Sequence, residues 1–500
     1  MPSVVEPIEL YTVAQVRALE REAVAASGRP SFALMQRAGA AALASLCRRW
    51  PQAHRLTVFC GPGNNGGDGF MLAALARERG LQVHVVALAA HARGDAALAR
   101  EAWTQMGGAI VAWQPGQVMP EADVLVDALY GIGLDRALQG PAAEVVGFMN
   151  ASTAPVLALD VPSGLDADTG HVPGDAVRAD LTVTFIAHKR GMHTSHAADC
   201  VGQLELATLD VPPILASATP ADARTLRAAC LPPRARYANK GGNGHVLVIG
   251  GAAGMGGAAQ LAGLGALRAG AGLVSLATAP AHAAMLNLVH PELMSHAVAG
   301  IADLPPLLER ASVLALGPGL GHGEWSQALW MEAIDTAKPL VVDADGLNLL
   351  ASSPRRFAAP VVLTPHPGEA ARLLGTGVAE VEADRYAAVR ELARRYAAVV
   401  VLKGAGSLVA DASGRVAVCP WGNPGMATGG MGDLLTGIVA ALLAQGCVPW
   451  AAACLGVGLH ARAGDLAARD GERGLLPTDL LQPLRRLGNA VTGGRETHVH

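Results

Sequence analysis

Three stretches in the first half of the chain place oxygen donors and glycines where a strand gives way to a helix. Strand-like Leu56–Cys60 runs into Gly61-Pro62-Gly63-Asn64-Asn65-Gly66-Gly67-Asp68-Gly69, after which a helical pattern begins. Glycines at such a turn let backbone N–H groups converge on an anion, assisted by the positive end of the helix dipole. The spacing matches neither a P-loop, which needs Lys followed by Ser or Thr, nor the G-x-G-x-x-G dinucleotide fingerprint. Two later strands also end in polar groups: Asp127 in Val-Asp-Ala-Leu-Tyr-Gly-Ile-Gly-Leu, then Asp160 and Ser163 in Leu-Asp-Val-Pro-Ser-Gly-Leu. Ligands of open parallel sheets sit beyond the carboxyl ends of the strands. Oxygen donors gathered there without His or Cys suit a hard cation rather than zinc.

The second half repeats the theme. Lys240-Gly-Gly-Asn-Gly leads through an apolar run to Gly250-Gly-Ala-Ala-Gly-Met-Gly-Gly-Ala258. Gly317-Pro-Gly319-Leu-Gly, Val342-Asp-Ala-Asp-Gly, Thr364-Pro-His366-Pro-Gly-Glu and Leu402-Lys403-Gly-Ala-Gly-Ser407 follow. Last comes Asn423-Pro-Gly-Met-Ala-Thr-Gly-Gly-Met-Gly-Asp433, ahead of an apolar helix. Thr428 to Gly432 would form a nest of amide donors for a phosphoryl group carrying developing charge. Asp433, a turn inside, is placed to take a proton from a substrate hydroxyl. Of 38 basic residues only Lys189, Lys240, Lys338 and Lys403 are lysines, so a Lys marks a position where a compact ammonium is wanted.

The elements needed to hold these loops are legible. Helical patterns at Val13–Ala26, Phe32–Trp50, Phe70–Arg79 and Ala96–Met106 separate strands at Leu56–Cys60, Val83–Leu88, Val124–Asp127, Val156–Leu159, Leu181–Phe185 and Leu204–Leu206. Continuous apolar strands between helices predict a parallel, doubly wound α/β sheet. The pattern lapses over Pro212–Asn239 and restarts with strands at 245–250, 273–277, 313–316, 340–342, 361–363 and 399–402, then a hairpin of Ser407–Ala410 with Val416–Cys419. Two α/β domains are expected, residues 1–215 and 230–490.

Composition limits the rest. With 51% hydrophobic and 16% charged residues, the 500-residue chain is not disordered, and a net charge of −4 gives no field for nucleic acid. Seven Cys without a C-x-x-C pair fit a reducing compartment. The opening segment carries Glu6 and Glu9 where a signal peptide would be basic. The charge-free stretch Leu434–Leu459 is broken by Gln445-Gly446 and Val448-Pro449, so it reads as two buried helices rather than a membrane span. A cytoplasmic homo-oligomer is expected.

GPGNNGGDG, VDALYGIGL and LALDVPSG, in that order, resemble the epimerase domain of the NAD(P)H-hydrate repair family. The resemblance implies a Rossmann-like fold in which Asn64, Asn65, Gly66, Gly67 and Asp68, with Gly131, Ile132, Gly133, Leu134, Asp135, Arg136 and Ala137, hold hydrated NADH or NADPH. It also implies one potassium ion on Asn65, Asp127 and Ser163, with Asp160 meeting the substrate. Lys189, just past a strand end, would face the same crevice, and Gln36 stands where the family carries Glu. The second motif series resembles the ribokinase-like dehydratases of the same pathway, which return the S hydrate to the dinucleotide with ADP or ATP. By that resemblance Ala258, Gly319, His366 and Asp433 contact the hydrate. Lys403, Gly404, Ala405, Gly406 and Ser407, with Asn423, Thr428, Gly429, Gly430, Met431 and Gly432, hold the nucleotide, and magnesium is expected to accompany it. ADP is the expected phosphoryl donor, because these loops hold one cation and no Arg. Two other readings share the loops: a thiazole or hydroxymethylpyrimidine kinase, and a dinucleotide-holding module that regulates without turnover.

Overall fold

The computed structural model describes residues 6–134, 136–211, 219–228, 231 and 233–489. They form two compact units: Ile8–Arg224, and a second made of the described residues from Thr225 onward together with Glu6 and Pro7.

Seven parallel strands form the sheet of the first unit, in the spatial order Ile110–Ala112, Gln82–Ala87, Arg55–Cys60, Val124–Ala128, Val156–Leu159, Leu181–Phe185, Gln203–Ala207. The strand order reverses between Arg55–Cys60 and Val124–Ala128, which opens a crevice at their carboxyl ends. Neighbouring side chains of each strand go to opposite faces. Val58 and Cys60 pack beneath the helices Phe32–Arg49, Asn64–Glu78 and Asp95–Gln105, whereas Phe59 packs with Val145, Val146 and Met149 of the helix Pro141–Ala151. Burial on both faces is why these strands read as unbroken apolar runs. A short strand, Glu9–Tyr11, pairs antiparallel with Ala223–Arg224 and parallel with His188–Lys189.

The first helix of the glycine loop begins earlier than the sequence predicts. It spans Asn64–Glu78 rather than starting at Phe70, so Asn64 to Asp68 are its first turns and not a free loop. The physical reason is close packing. A Cβ on Gly66 would sit 2.0 Å from the Gly61 carbonyl oxygen, and one on Gly67 would meet Met35 at 2.6 Å. These glycines let the helix start directly against the strand end, and that packing outweighs their low helix propensity.

The second unit has nine strands, ordered Met294–Ala297, Leu273–Thr278, His245–Ile249, Val313–Leu316, Leu340–Val342, Val361–Leu363, Val399–Leu402, Leu408–Ala410, Val416–Val418. All pairs are parallel up to Val399–Leu402, and the last two strands form the expected antiparallel hairpin. Ile249, Leu316, Val342 and Leu363 stand in one row across the sheet. The residues that follow them, Gly250, Gly317, Asp343 and Thr364, therefore share one edge, and Lys403 follows the next strand. The apolar stretch near the end forms two helices, Met431–Ala444 and Pro449–Ala467, broken where the sequence predicts. Among the described residues no helix is long and apolar enough to cross a membrane.

Candidate active sites

In the first unit the crevice at the strand reversal is a cavity of about 370 Å³. Asn64, Asn65, Asp68, Gly131, Ile132, Gly133, Asp160 and Lys189 all line it, as do Arg17 and Glu20 from the helix Val13–Ser27. Gly66, Gly67, Leu134, Arg136 and Ala137 are not part of its wall, Asp135 lies outside the described residues, and Gln36 is exposed on its helix.

Asp160 is held in an uncommon way. Its φ is +65°, the left-handed region that a non-glycine residue enters at a cost of about 1–3 kcal/mol. Every hydrogen bond to its carboxylate falls on Oδ1: from the Lys189 ammonium, the Phe185 amide (3.2 Å) and the Thr184 hydroxyl (3.4 Å). Oδ2 is left beside Gly131, where a Cβ would come within 3.0 Å of it and 3.5 Å of Asn65 Cγ. Lys189 is fully buried, and its three donors go to Asp160, to Thr184 Oγ1 (2.9 Å) and to the Phe185 carbonyl (2.7 Å). The tertiary structure thus places Lys189 as the direct partner of Asp160. Burial, and next the Asp160 charge, raise the carboxyls of Glu20 and Asp68, the latter well above its ordinary range.

Asp127 and Ser163 form a buried couple. The Ser163 hydroxyl donates to Asp127 Oδ1 (2.7 Å) and its amide to Oδ2 (2.8 Å), while the Leu129 amide also donates to Oδ1 (3.1 Å). Burial pushes the Asp127 carboxyl up to about 6, against the lowering effect of these hydrogen bonds. Asn65 is buried with neither Oδ1 nor Nδ2 hydrogen-bonded. Asn65 lines the cavity whereas Asp127 and Ser163 do not; an amide oxygen, a carboxylate and a hydroxyl are donors of the chemical type that suits a monovalent cation.

In the second unit the aligned strand ends gather a charged core. Lys403 Nζ contacts Asp343 Oδ1 at 2.6 Å and Glu369 Oε2 at 3.7 Å, and the Thr436 hydroxyl donates to Asp343 Oδ2 at 2.7 Å. Burial alone would raise Asp343, but the Lys403 charge brings it below the usual carboxylate range. Asp433, in the first turn of Met431–Ala444, is pushed up to about 7 by burial and then by the Asp343 charge. His366 caps the helix Pro367–Leu374, its Nδ1 accepting from the Gly368 amide (2.9 Å), while its own amide donates to Glu369 (2.7 Å). Burial, then Lys403, keeps this imidazole below its ordinary range. Gly319 stands against Ala258, with 3.0 Å between its Cβ position and the Ala258 methyl, so those two candidates adjoin.

The nucleotide candidates divide. Ser407 closes its own turn by accepting from the Gly404 amide (3.2 Å) and donating to the Gly404 carbonyl (2.9 Å), with Ala405 and Gly406 at the tip. Asn423 is anchored by Asp465 (3.0 Å) and caps the Gly425 amide. Thr428 donates to the Gly425 carbonyl (3.1 Å), Gly429 is exposed, and Gly430 takes φ +92° to start the helix whose first residues are Met431 and Gly432. Arg385 lies far away in sequence, yet its buried guanidinium reaches the carbonyls of Leu402 (3.3 Å) and Lys403 (3.1 Å) and pairs with Glu382. The sequence reading missed Asp343, Glu369, Thr436 and Arg385. Val-Asp-Ala-Asp-Gly at a strand end was the available signal for Asp343, and the closing Glu of Thr364-Pro-His-Pro-Gly-Glu that for Glu369; nothing local marked Thr436 or Arg385.

Comparison with known proteins bears on both units. Residues 31–191 match the family described as YjeF-related protein N-terminus, and residues 246–486 match the NAD(P)H-hydrate dehydratase family. A bifunctional NAD(P)H-hydrate repair enzyme of Coxiella burnetii is 48% identical over 487 residues, covering 96% of this chain and 99% of that protein. One from Escherichia coli is 44% identical over 491 residues, covering 97% and 94%. A crystal structure of an ADP/ATP-dependent NAD(P)H-hydrate dehydratase from Bacillus subtilis aligns at 31% identity with a TM-score of 0.47, covering 52% of this chain and 94% of that one. With two sites on two α/β units and near-complete coverage by such relatives, this chain belongs to the bifunctional NAD(P)H-hydrate repair enzymes.

Proposed function

We propose that the unit Ile8–Arg224 interconverts the R and S hydrates of NADH and NADPH at C6, and that the unit from Thr225 onward dehydrates the S hydrate with ADP, giving AMP and phosphate. The observation that carries the reading is Asp433, a carboxyl tuned to about 7 beside the Asp343–Lys403 pair at the start of an apolar helix. As carboxylate it removes the proton of the C6 hydroxyl, which then attacks the terminal phosphoryl group of the nucleotide. The amides from Thr428 to Gly432 receive the charge that develops on that group. Phosphate then leaves C6 with its bonding electron pair, assisted by the N1 lone pair, and loss of a proton from C5 to solvent restores the reduced ring. Magnesium would accompany the nucleotide phosphates.

Support for ADP over ATP comes from how the cations are used. Lys403 is committed to Asp343 and Glu369, and Arg385 spends its donors on loop carbonyls and Glu382. Backbone amides are left to hold the phosphates, and the smaller charge of a diphosphate suits them. In the first unit Asn65, Asp127 and Ser163 would hold a potassium ion, which supplies positive charge for the substrate pyrophosphate. Asp160 presents Oδ2 to the cavity for proton transfer.

Incubating the protein with mixed hydrated NADH epimers, with ADP, with ATP and with no nucleotide, tests the whole reading. Epimer exchange in every arm is expected, with loss of the hydrate and release of AMP most efficient with ADP. Exchange without dehydration would leave only the first assignment, and ADP released from ATP at higher efficiency would overturn the donor.

A further inference from the structure

The charged side chains that line the first unit's cavity come from several elements: Asp160 and Lys189 at the strand edge, Asp68 on Asn64–Glu78, Arg17 and Glu20 on Val13–Ser27, and Asp95 at the start of Asp95–Gln105. Four carboxyls against one ammonium and one guanidinium leave an excess of negative charge in a site that must also take an anionic dinucleotide, and repulsion in a partly desolvated cavity disfavours ionising all of them. The ammonium is already spent: Lys189 gives all three donors to Asp160, Thr184 and Phe185. Epimerisation at C6 needs two proton sites, one for the hydroxyl oxygen and one for the ring nitrogen. Asp160 Oδ2 supplies the first.

We propose that Glu20 is the second proton carrier of the epimerisation and that Lys189 is the residue that positions Asp160; both assignments rest on the epimerase reading above. Glu20 is preferred to Asp68 because of its neighbours. Arg17, which also lines the cavity, and Arg21 sit on the same helix and lower the cost of the Glu20 carboxylate, whereas among the described residues the cation acting on Asp68 is the committed Lys189. Glu20 is therefore held closer to a balance of its two forms, whereas burial and its neighbours drive Asp68 further toward the protonated form. Arg17 Nη2 reaches the Ile132 carbonyl (3.5 Å), which ties this helix to the Gly131–Gly133 wall of the cavity. The helix precedes residues 31–191, the span matched by the family.

The chemistry balances without water or a redox partner. Asp160 takes the C6 hydroxyl proton and the C6–O bond becomes a carbonyl. The C6–N1 bond breaks with its electron pair moving to N1, which accepts the proton of Glu20. Rotation about C5–C6 turns the other carbonyl face toward N1. N1 then attacks C6, its proton returns to Glu20, and the oxygen recovers its proton from Asp160. The starting state is the same in both directions: Asp160 ionised, Glu20 protonated. The rate accordingly falls as pH rises through the Glu20 titration, on which Asp160, Lys189, Asp68, Arg17 and Arg21 all act.

Full-length protein is given the R hydrate of NADH without nucleotide, and formation of the S hydrate is followed by chromatography across a pH series. E20Q should lower kcat by about 10²- to 10⁴-fold with little change in KM and should lose the alkaline decline of the wild type. E20D should keep part of the rate with that decline displaced. K189M should lower kcat more than K189R, which retains the charge on Asp160. Thermal melts confirm folding, and if E20Q does not fold, the E20D profile decides. A wild-type rate and pH profile in E20Q, or loss of activity in D68N with E20Q unaffected, overturns the proposal. A wild-type protein that exchanges no epimers overturns the epimerase reading instead.

Discussion

In the proposed dehydration Asp433 would act as a base only when ionised, so burial that raises it to about 7 would set the pH at which the reaction begins. Dehydration should rise as pH increases through that value and level off above it. Because the Asp343 charge contributes to the rise, D343N should move the acid limb to lower pH by about one unit; steady-state rates across pH check this. D433N should lower dehydration by about two to four orders of magnitude and leave epimer exchange in place, since that chemistry belongs to the other unit. Asp127 makes a second pH-dependent case. Its folded-state value, about 6, lies above the ordinary carboxylate value, so protonation competes with a bound cation below that pH and ceases to compete above it. Potassium should therefore raise the melting temperature of the first unit more at pH 8 than at about pH 5, and D127N should abolish the difference. Equal shifts at both pH values would leave Asp127 and Ser163 as a loop brace.

Helix packing fixes where these groups stand. In the second unit Gly256–Arg268 crosses Met431–Ala444 so closely that a Cβ on Gly437 would lie 1.8 Å from the Ala262 carbonyl oxygen, and one on Gly265 would lie 2.3 Å from that of Leu434. The crossing holds the start of the Asp433 helix near the strand ends. G437A should consequently destabilise by about 1–3 kcal/mol, although Ala is the better helix former. At Gly147, on the exposed side of Pro141–Ala151 with nothing within 4 Å of its Cβ position, the same change should stabilise by about 0.5–1 kcal/mol. Denaturant unfolding of the two variants checks the contrast.

At the scale of the molecule, the division between the units falls between Arg224 and Thr225, inside the Pro212–Asn239 lapse. A cut near residue 215 would strip Ala223–Arg224 from Glu9–Leu10 and uncover Leu10, which is fully buried. A fragment ending at Arg224 should thus melt cooperatively and exceed the shorter one in stability by about 1–3 kcal/mol, each judged by calorimetry. By itself the sequence determined the two α/β sheets, because strands buried on both faces must read as apolar runs, and it marked the glycine-rich loops, because close approach of helix to strand tolerates no side chain. It also marked Asp160 and Asp433, which sit in local patterns of strand, loop and helix. Tertiary structure decided what no local pattern records. Lys189 meets Asp160 because strand pairing closes a 29-residue separation, Lys403 meets Asp343 across 60 residues, and Glu20 reaches the cavity on a helix with no glycine motif of its own. Charge partnership depends on distance in space and on removal from water, and neither is written in the spacing of residues along the chain.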